Sequence, residues 1–384
     1  MLRRLTMGFV GLTSAIAIAA CSSNNANTTV NVGPNFPPES LYATNATQNS
    51  VSIYPPDTKS GSGPAYDVSS SLAGLNGPQY IAFDSQSNLW ISSFASSTGG
   101  AITELKALAT GNVQPLLTSA QLGLVFQHPR GLAFTTAGTG SSAVTYLVVA
   151  NVDPSAKTFS NQLRLYNTAN SILTQSFVIA GPSTGMNVPS GVAASGTSLY
   201  VTNLQGASVE AFQIPTPTPS PSGSPSPTPS PTATPTVNPS APPTPTPTPV
   251  PTATPVNVGP VLTISGAQTG ITSPTGIAID GNGYVYVSDQ GNTGLGVQPS
   301  ILVFPPNLSG TVSSAPVRKI QGSATKLFAP TDVKVDTKGN IYVGDSTSSG
   351  AGVVYFFAVG ATGNVAPTST FTSPGTVIGI GLTP

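Results

Sequence analysis

The sequence predicts an all-β fold, a single six-bladed β-propeller closed by strands from both termini, with a proline-rich insertion in one blade. Three observations carry this. Charged residues make up only 6% of the 384 residues, while Gly (40) and Pro (39) abound. Such a chain lacks the Glu, Lys and Arg surfaces of helices and favours strands and turns. A short pattern of aliphatic, usually aromatic, aliphatic, small, then Asn, Asp or Ser recurs six times. Finally, the first repeat starts on a second strand, and the C-terminal segment supplies an unpaired first strand.

Taken in order, Met1-Leu-Arg-Arg4 is a charged start and Leu5 to Ala17 a short apolar run. Its length and flanks suit a secretion signal (1–20) rather than a membrane span. Ile18-Ala19-Ala20-Cys21 closes it with small residues before the only cysteine. These four residues resemble the bacterial lipobox, which implies a lipid on Cys21; an ordinary signal peptide with an incidental cysteine is the alternative. A lone thiol leaves no disulfide to form. Residues 21–40 are rich in Asn, Thr, Ser and Pro without apolar period and read as a flexible tether.

The second strands of the repeats are Leu41 to Asn45, Leu89 to Ser93, Leu147 to Asn151, Leu199 to Asn203, Val285 to Asp289 and Ile341 to Asp345. Pro-led first strands precede most of them, beginning at Pro78, Pro129, Pro189, Pro274 and Pro330. Alternating third strands such as Val51 to Tyr54 and Ile301 to Phe304 follow, then a more variable fourth strand. Units of about 50 residues with four short strands are the pattern of propeller blades. The cause is burial, since a sheet apolar on both faces needs a neighbour on each. Ala82, Ala133, Ala193, Ala278 and Gly379 are placed in one column at the crowded axis, where Lys334 stands out. The last first strand, Val377 to Leu382, is expected to join Leu41 to Asn45 in one blade, leaving no exposed seam.

The propeller thus spans 41–214 and 256–384, interrupted by a Pro/Thr/Ser tract at 215–255. Proline cannot donate to a ladder, so the tract is expected to be an exposed polyproline-type excursion. It falls between a third strand ending at Ile214 and a fourth at Val261 to Ile264, within one blade. The competing arrangement is a linker between two three-bladed domains, which would not close a ring. An inert expansion, a glycosylated spacer or a wall-contacting arm are its readings in function.

Pro274-Thr-Gly-Ile-Ala-Ile-Asp-Gly-Asn-Gly-Tyr-Val-Tyr-Val-Ser-Asp289 resembles an NHL repeat, and Pro330 to Ser346 nearly matches it. The copies at 78–93, 129–151 and 189–203 are degraded. The resemblance implies a six-bladed NHL-type propeller, a fold used for binding and by some enzymes. Asp280 and Gly281 are read as belonging to a hairpin turn.

For chemistry, formal net charge is zero and no basic stripe is present, which argues against nucleic acid. One His and one Cys exclude a His/Cys zinc site by count. Asn45, Ser93, Asn151, Asn203, Asp289 and Asp345 are expected to circle the channel mouth, with Gln79, Arg130, Ser190, Thr275, Thr331 and Asp332 nearby. The same side chains could instead cap strand ends and bond to loop backbone. The chain is similar in fold to gluconolactonase-like propellers, which implies a metal held by carboxylates and Asn at the mouth. Only Asp289 and Asp345 supply charge in the second-strand ring here, so Ca²⁺ would be held weakly and no cofactor is expected. Streptogramin-lyase-like propellers imply a catalytic His, and His128, the only one, reads as a solvated loop residue. Lys334 is expected to meet Asp289 or Asp345 in the channel, or else to snorkel to the mouth. Polar, uncharged loops such as Phe94 to Gly100 and Gln290 to Gln298 suit neutral ligands. The expectation is therefore a monomeric cell-envelope lipoprotein, membrane-held through Cys21, whose propeller binds an unknown glycan, peptide or protein. A propeller enzyme is the alternative.

Overall fold

The structure is a computed structural model that describes residues 37–95, 99–153, 160–169, 172–215 and 253–384. The expected signal, Cys21 and the interior of the proline tract lie outside the described residues. Six small sheets form a six-bladed β-propeller. Blade 1 holds Leu41–Asn45, Ser50–Tyr54 and Tyr66–Ser69, and blade 2 holds Pro78–Phe83, Leu89–Ala95, Gly99–Leu105 and Leu117–Thr118. Blade 3 holds His128–Ala137, Val144–Val152, Asn161–Asn167 and Thr174–Ala180. Blade 4 holds Pro189–Ser195, Ser198–Asn203, Ser208–Gln213 and Leu262–Ser265. Blade 5 holds Pro274–Ile279, Val285–Asp289, Ser300–Phe304 and Arg318–Gln321; blade 6 holds Asp332–Val335, Ile341–Ser346, Gly352–Phe357 and Ser369–Thr372.

Ring closure follows the sequence expectation in a shorter strand. Ile380–Leu382 pairs antiparallel with Leu41–Asn45, in the register Leu41↔Leu382, Tyr42↔Gly381 and Ala43↔Ile380. That register corrects the axial column. Ala82 faces Trp90, Ala278 faces Tyr286 and Lys334 faces Tyr342 in the same way, so blade 1 contributes Gly381, not Gly379.

Apolar faces are buried between neighbours, as stacked blades require. Leu163, Leu165 and Ile179 of blade 3 pack with Val192, Leu199 and Phe212 of blade 4. Val209 and Ile264 of blade 4 pack in turn with Ile277, Val285 and Phe304 of blade 5.

Outer edges are covered by a device the sequence did not announce. The connection between third and fourth strands crosses to the preceding blade and adds a short parallel strand. Gly111–Asn112 does so on blade 1, Pro255–Val256 on blade 3 and Gly310–Val312 on blade 4. An unpaired edge would otherwise be open to other chains. Residues 215 and 253, on either side of the tract, both belong to this connection of blade 4. The strands it joins, Ser208–Gln213 and Leu262–Ser265, pair with each other.

The "small" position of the repeat has a specific task. The first strands of blades 2, 4 and 5 carry an irregular register after their opening residue, which frees one N–H. Ser92 Oγ takes that of Tyr80 (3.0 Å), Thr202 Oγ1 that of Gly191 (2.8 Å) and Ser288 Oγ that of Gly276 (2.8 Å). Two of these hydroxyls also reach the next blade: Ser92 donates to Arg130 O (2.7 Å) and Thr202 to Thr275 O (2.7 Å).

Candidate functional site

First strands begin, and second strands end, on one face of the ring, which we call the upper face. The residues two after the opening position converge there on the axis: Tyr80, Gly131, Gly191, Gly276, Asp332 and Gly379. Glycine is required by close approach, since a Cβ on Gly191 would lie 2.6 Å from Thr275 O. Two positions break the pattern. Tyr80 sends its ring across the axis, and its hydroxyl lies 3.0 Å from Ser190 Oγ and donates towards Thr275 O (3.3 Å) and Thr331 O (3.4 Å). One side chain from blade 2 thus touches blades 4, 5 and 6 and closes the channel. Burial pushes its hydroxyl far above the ordinary tyrosine range, so it stays protonated.

Asp332 is the second exception. Its carboxylate is buried and accepts from Lys334 Nζ (2.9 Å), Ile380 N (3.0 Å) and its own neighbour Val333 N (2.9 Å). The expected partners of Lys334, Asp289 and Asp345, are corrected to Asp332. Residues i and i+2 share one face of a strand, so the nearest carboxylate is two residues away on the same chain. Burial raises the Asp332 carboxyl, and the Lys334 ammonium opposes that rise. Below the pair, a cavity of ≈ 310 Å³ is walled by Ala82, Ala133, Ala193, Ala278 and their apolar neighbours, with Lys334 at its side.

The ring of second-strand ends is buried, and most of its polar atoms are directed at loops. Asp289 accepts from Thr272 N, Ser273 N, Gly291 N and Thr272 Oγ1 at 2.8–2.9 Å. Asp345 accepts from Phe328 N (3.0 Å), Ala329 N (2.7 Å) and Ser346 N (2.6 Å). Burial nevertheless pushes Asp345 up to about 6, against those three N–H donors. Asn45 donates to Ser50 Oγ (3.1 Å) and Ser52 Oγ (2.8 Å) and accepts from Ser373 Oγ. Asn203 donates to Ser208 Oγ (3.1 Å) and accepts from Asn187 N (3.3 Å).

The corner between blades 2 and 3 differs. Ser93 Oγ and Asn151 Nδ2 are buried with no hydrogen-bond partner among the described residues. Asn151 and Pro129 are cross-strand partners, which sets Arg130 beside them. Both ion pairs among the described residues, Lys334–Asp332 and Lys338–Glu39, leave the Arg130 guanidinium unpaired. His128 is corrected from a solvated loop residue. It opens the first strand of blade 3, half-buried, with its ring 4.0 Å from that of Phe94. Burial and the nearby Arg130 charge lower its pKa, so the imidazole is neutral at neutral pH.

The donor set does not fit a calcium ion at this mouth. Asp289 and Asp345 already direct both oxygens to backbone N–H groups, and the Asn45 and Asn203 amides face serine hydroxyls. A Ca²⁺ takes six to eight converging oxygens. Among the described residues, no group of three or more His, Cys, Asp or Glu is gathered as a ligand set.

No family model matches the sequence, and no curated relative does. Among solved structures, the chain is similar to a putative 6-phosphogluconolactonase from Bacteroides uniformis, 14% identical, with a TM-score of 0.50, covering 89% of this chain and 98% of that one. A chain of a nidogen/laminin complex is 13% identical, with a TM-score of 0.50, covering 90% of this chain and 98% of that one. At such identities the likeness is one of fold alone: the chain is a six-bladed β-propeller.

Proposed function

We propose that this propeller is a binding module of the bacterial cell envelope, of NHL type, held to a membrane through a lipid on Cys21. Its ligand docks on the upper face, at the corner of Ser93, Arg130 and Asn151. One observation carries the reading: of the six second-strand ends, Ser93 Oγ and Asn151 Nδ2 alone are buried without a partner among the described residues, with Arg130 beside them next to a channel that Tyr80 closes. Unspent donors at a floored mouth suit a polar glycan or peptide that brings its own acceptors.

The test is a glycan and peptide array probed with the full chain in detergent. Binding is expected to fall at least about ten-fold in Arg130→Ala, the loss of one charge-assisted hydrogen bond. Turnover of lactones by the unaltered chain would instead favour the enzyme reading. Cys21→Ala is expected to move the protein from the membrane to the soluble fraction; retention in the membrane would sink the anchor.

A further inference from the structure

A cleft opens on the lower face, away from the mouth above. The cleft between blades 2 and 3 there has a volume of ≈ 540 Å³. Its blade 2 wall is Asp84, Asn88, Trp90 and Glu104. Asp84 is spent on its hairpin: Oδ1 accepts from Gln86 N (2.9 Å) and Asn88 N (2.8 Å), and Oδ2 from Asn88 Nδ2 (3.0 Å) and Trp90 Nε1 (3.0 Å). Asp280 and Asp336 hold their own hairpins in the same way. Glu104 has no counterpart in that scheme. Its side chain is 6% exposed, Oε1 accepts from Asn88 Nδ2 (3.1 Å), and no hydrogen bond reaches Oε2 among the described residues.

Among the described residues, no lysine or arginine lines this cleft. A buried carboxylate without a counter-charge is costly, and proteins normally pair it or neutralise it. Burial first, then the neighbouring Asp84, push Glu104 up to about 7. The opposite wall, from blade 3, brings Phe134, Thr145, Asn167 and Thr168, none of them titratable. Trp90 and Phe134 meet edge to face at 5.7 Å, giving the cleft an aromatic corner. A cation is what both the free oxygen and the aromatic faces attract, while the hydroxyls and amides opposite match sugar hydroxyls.

We propose that this cleft binds a primary ammonium carried on a sugar, with Glu104 as its counter-ion. Glu104 is only partly protonated at neutral pH, so binding releases that fraction of a proton, and the carboxylate then faces the ammonium through Oε2. The probe is 6-amino-6-deoxyglucose, whose amine stays protonated at pH 8, compared with glucose, by calorimetric titration of the full chain in detergent. The amino sugar is expected to bind about ten-fold or more tightly than glucose at pH 8, the strength of a charge-assisted contact. Its affinity should drop about ten-fold between pH 8 and pH 6 as Glu104 takes up its proton. Glu104→Gln retains the acceptor for Asn88 and should erase both the preference and the pH dependence, whereas Arg130→Ala should alter neither. Equal binding of the two sugars, or a preference that survives in Glu104→Gln, overturns the proposal. The pH series on the unaltered chain tests it without any variant, and a flat series overturns it too.

Discussion

Lys334→Ala offers a sharp test of the axis. Asp332 is fully buried and Lys334 only partly so, with 2.9 Å between them. Removing the ammonium strands the carboxylate, which breaking a buried pair typically penalises by about 3–5 kcal/mol. Protonation sets a ceiling on that cost. Keeping an ordinary aspartic acid neutral at pH 7 takes about 4 kcal/mol, at ~1.4 kcal/mol per pH unit. The sign follows from the raised folded-state pKa. Below the unfolded value near 4 the carboxyl is neutral in both states and the deficit is small; it grows as pH rises towards the folded value. Urea denaturation of Lys334→Ala should therefore show a loss of about 3–4 kcal/mol at pH 7 and below about 1 kcal/mol at pH 4. The double variant Asp332→Gly/Lys334→Ala rebuilds the Gly-x-Ala arrangement of Gly191 to Ala193 and Gly276 to Ala278. It forfeits the acceptor of Ile380 N and of Val333 N, about 1–3 kcal/mol, and so should be more stable at pH 7 than the single variant. A deficit equal at pH 4 and pH 7, or a double variant worse than the single, would refute the argument that Lys334 compensates a buried charge.

Two further comparisons probe the ring. Tyr80→Ala empties the axis and should cost about 3–5 kcal/mol, whereas Tyr80→Phe loses only the hydroxyl contacts to Ser190, Thr275 and Thr331, about 1 kcal/mol; equal losses in denaturation would mean the ring does not fill the channel. Asp289→Ala leaves the N–H groups of Thr272, Ser273 and Gly291 without their acceptor and should cost about 3 kcal/mol or more, against about 1 kcal/mol for Asn203→Ala, which holds one backbone N–H. Similar losses at the two positions in the same assay would contradict that count.

What the sequence determined was the repeat and therefore the fold. Period-two apolar alternation, Pro-led openings and an Asn, Asp or Ser at each second-strand end repeat along the chain, and strands that bury both faces have few ways to satisfy themselves other than a ring. The closing strand and the hairpin task of Asp280 were legible for the same local reason; Asp280 holds Asn282 N and Tyr284 N two and four residues away. Tertiary structure alone decided where side chains spend their polar atoms. The partners of Asp289 lie 16 and 17 residues back in a loop as well as beside it, and Asp332 receives Ile380 N from the far end of the chain. Tyr80 reads as one more strand residue until the axis brings Ser190, Thr275 and Thr331 around its hydroxyl. Glu104 lacks a counter-charge only because blade 3 presents neutral residues across the cleft. Periodicity is a property of neighbours along the chain, whereas a site is made where distant segments meet, and the balance of charge and hydrogen bonds there is set by what the ring places opposite.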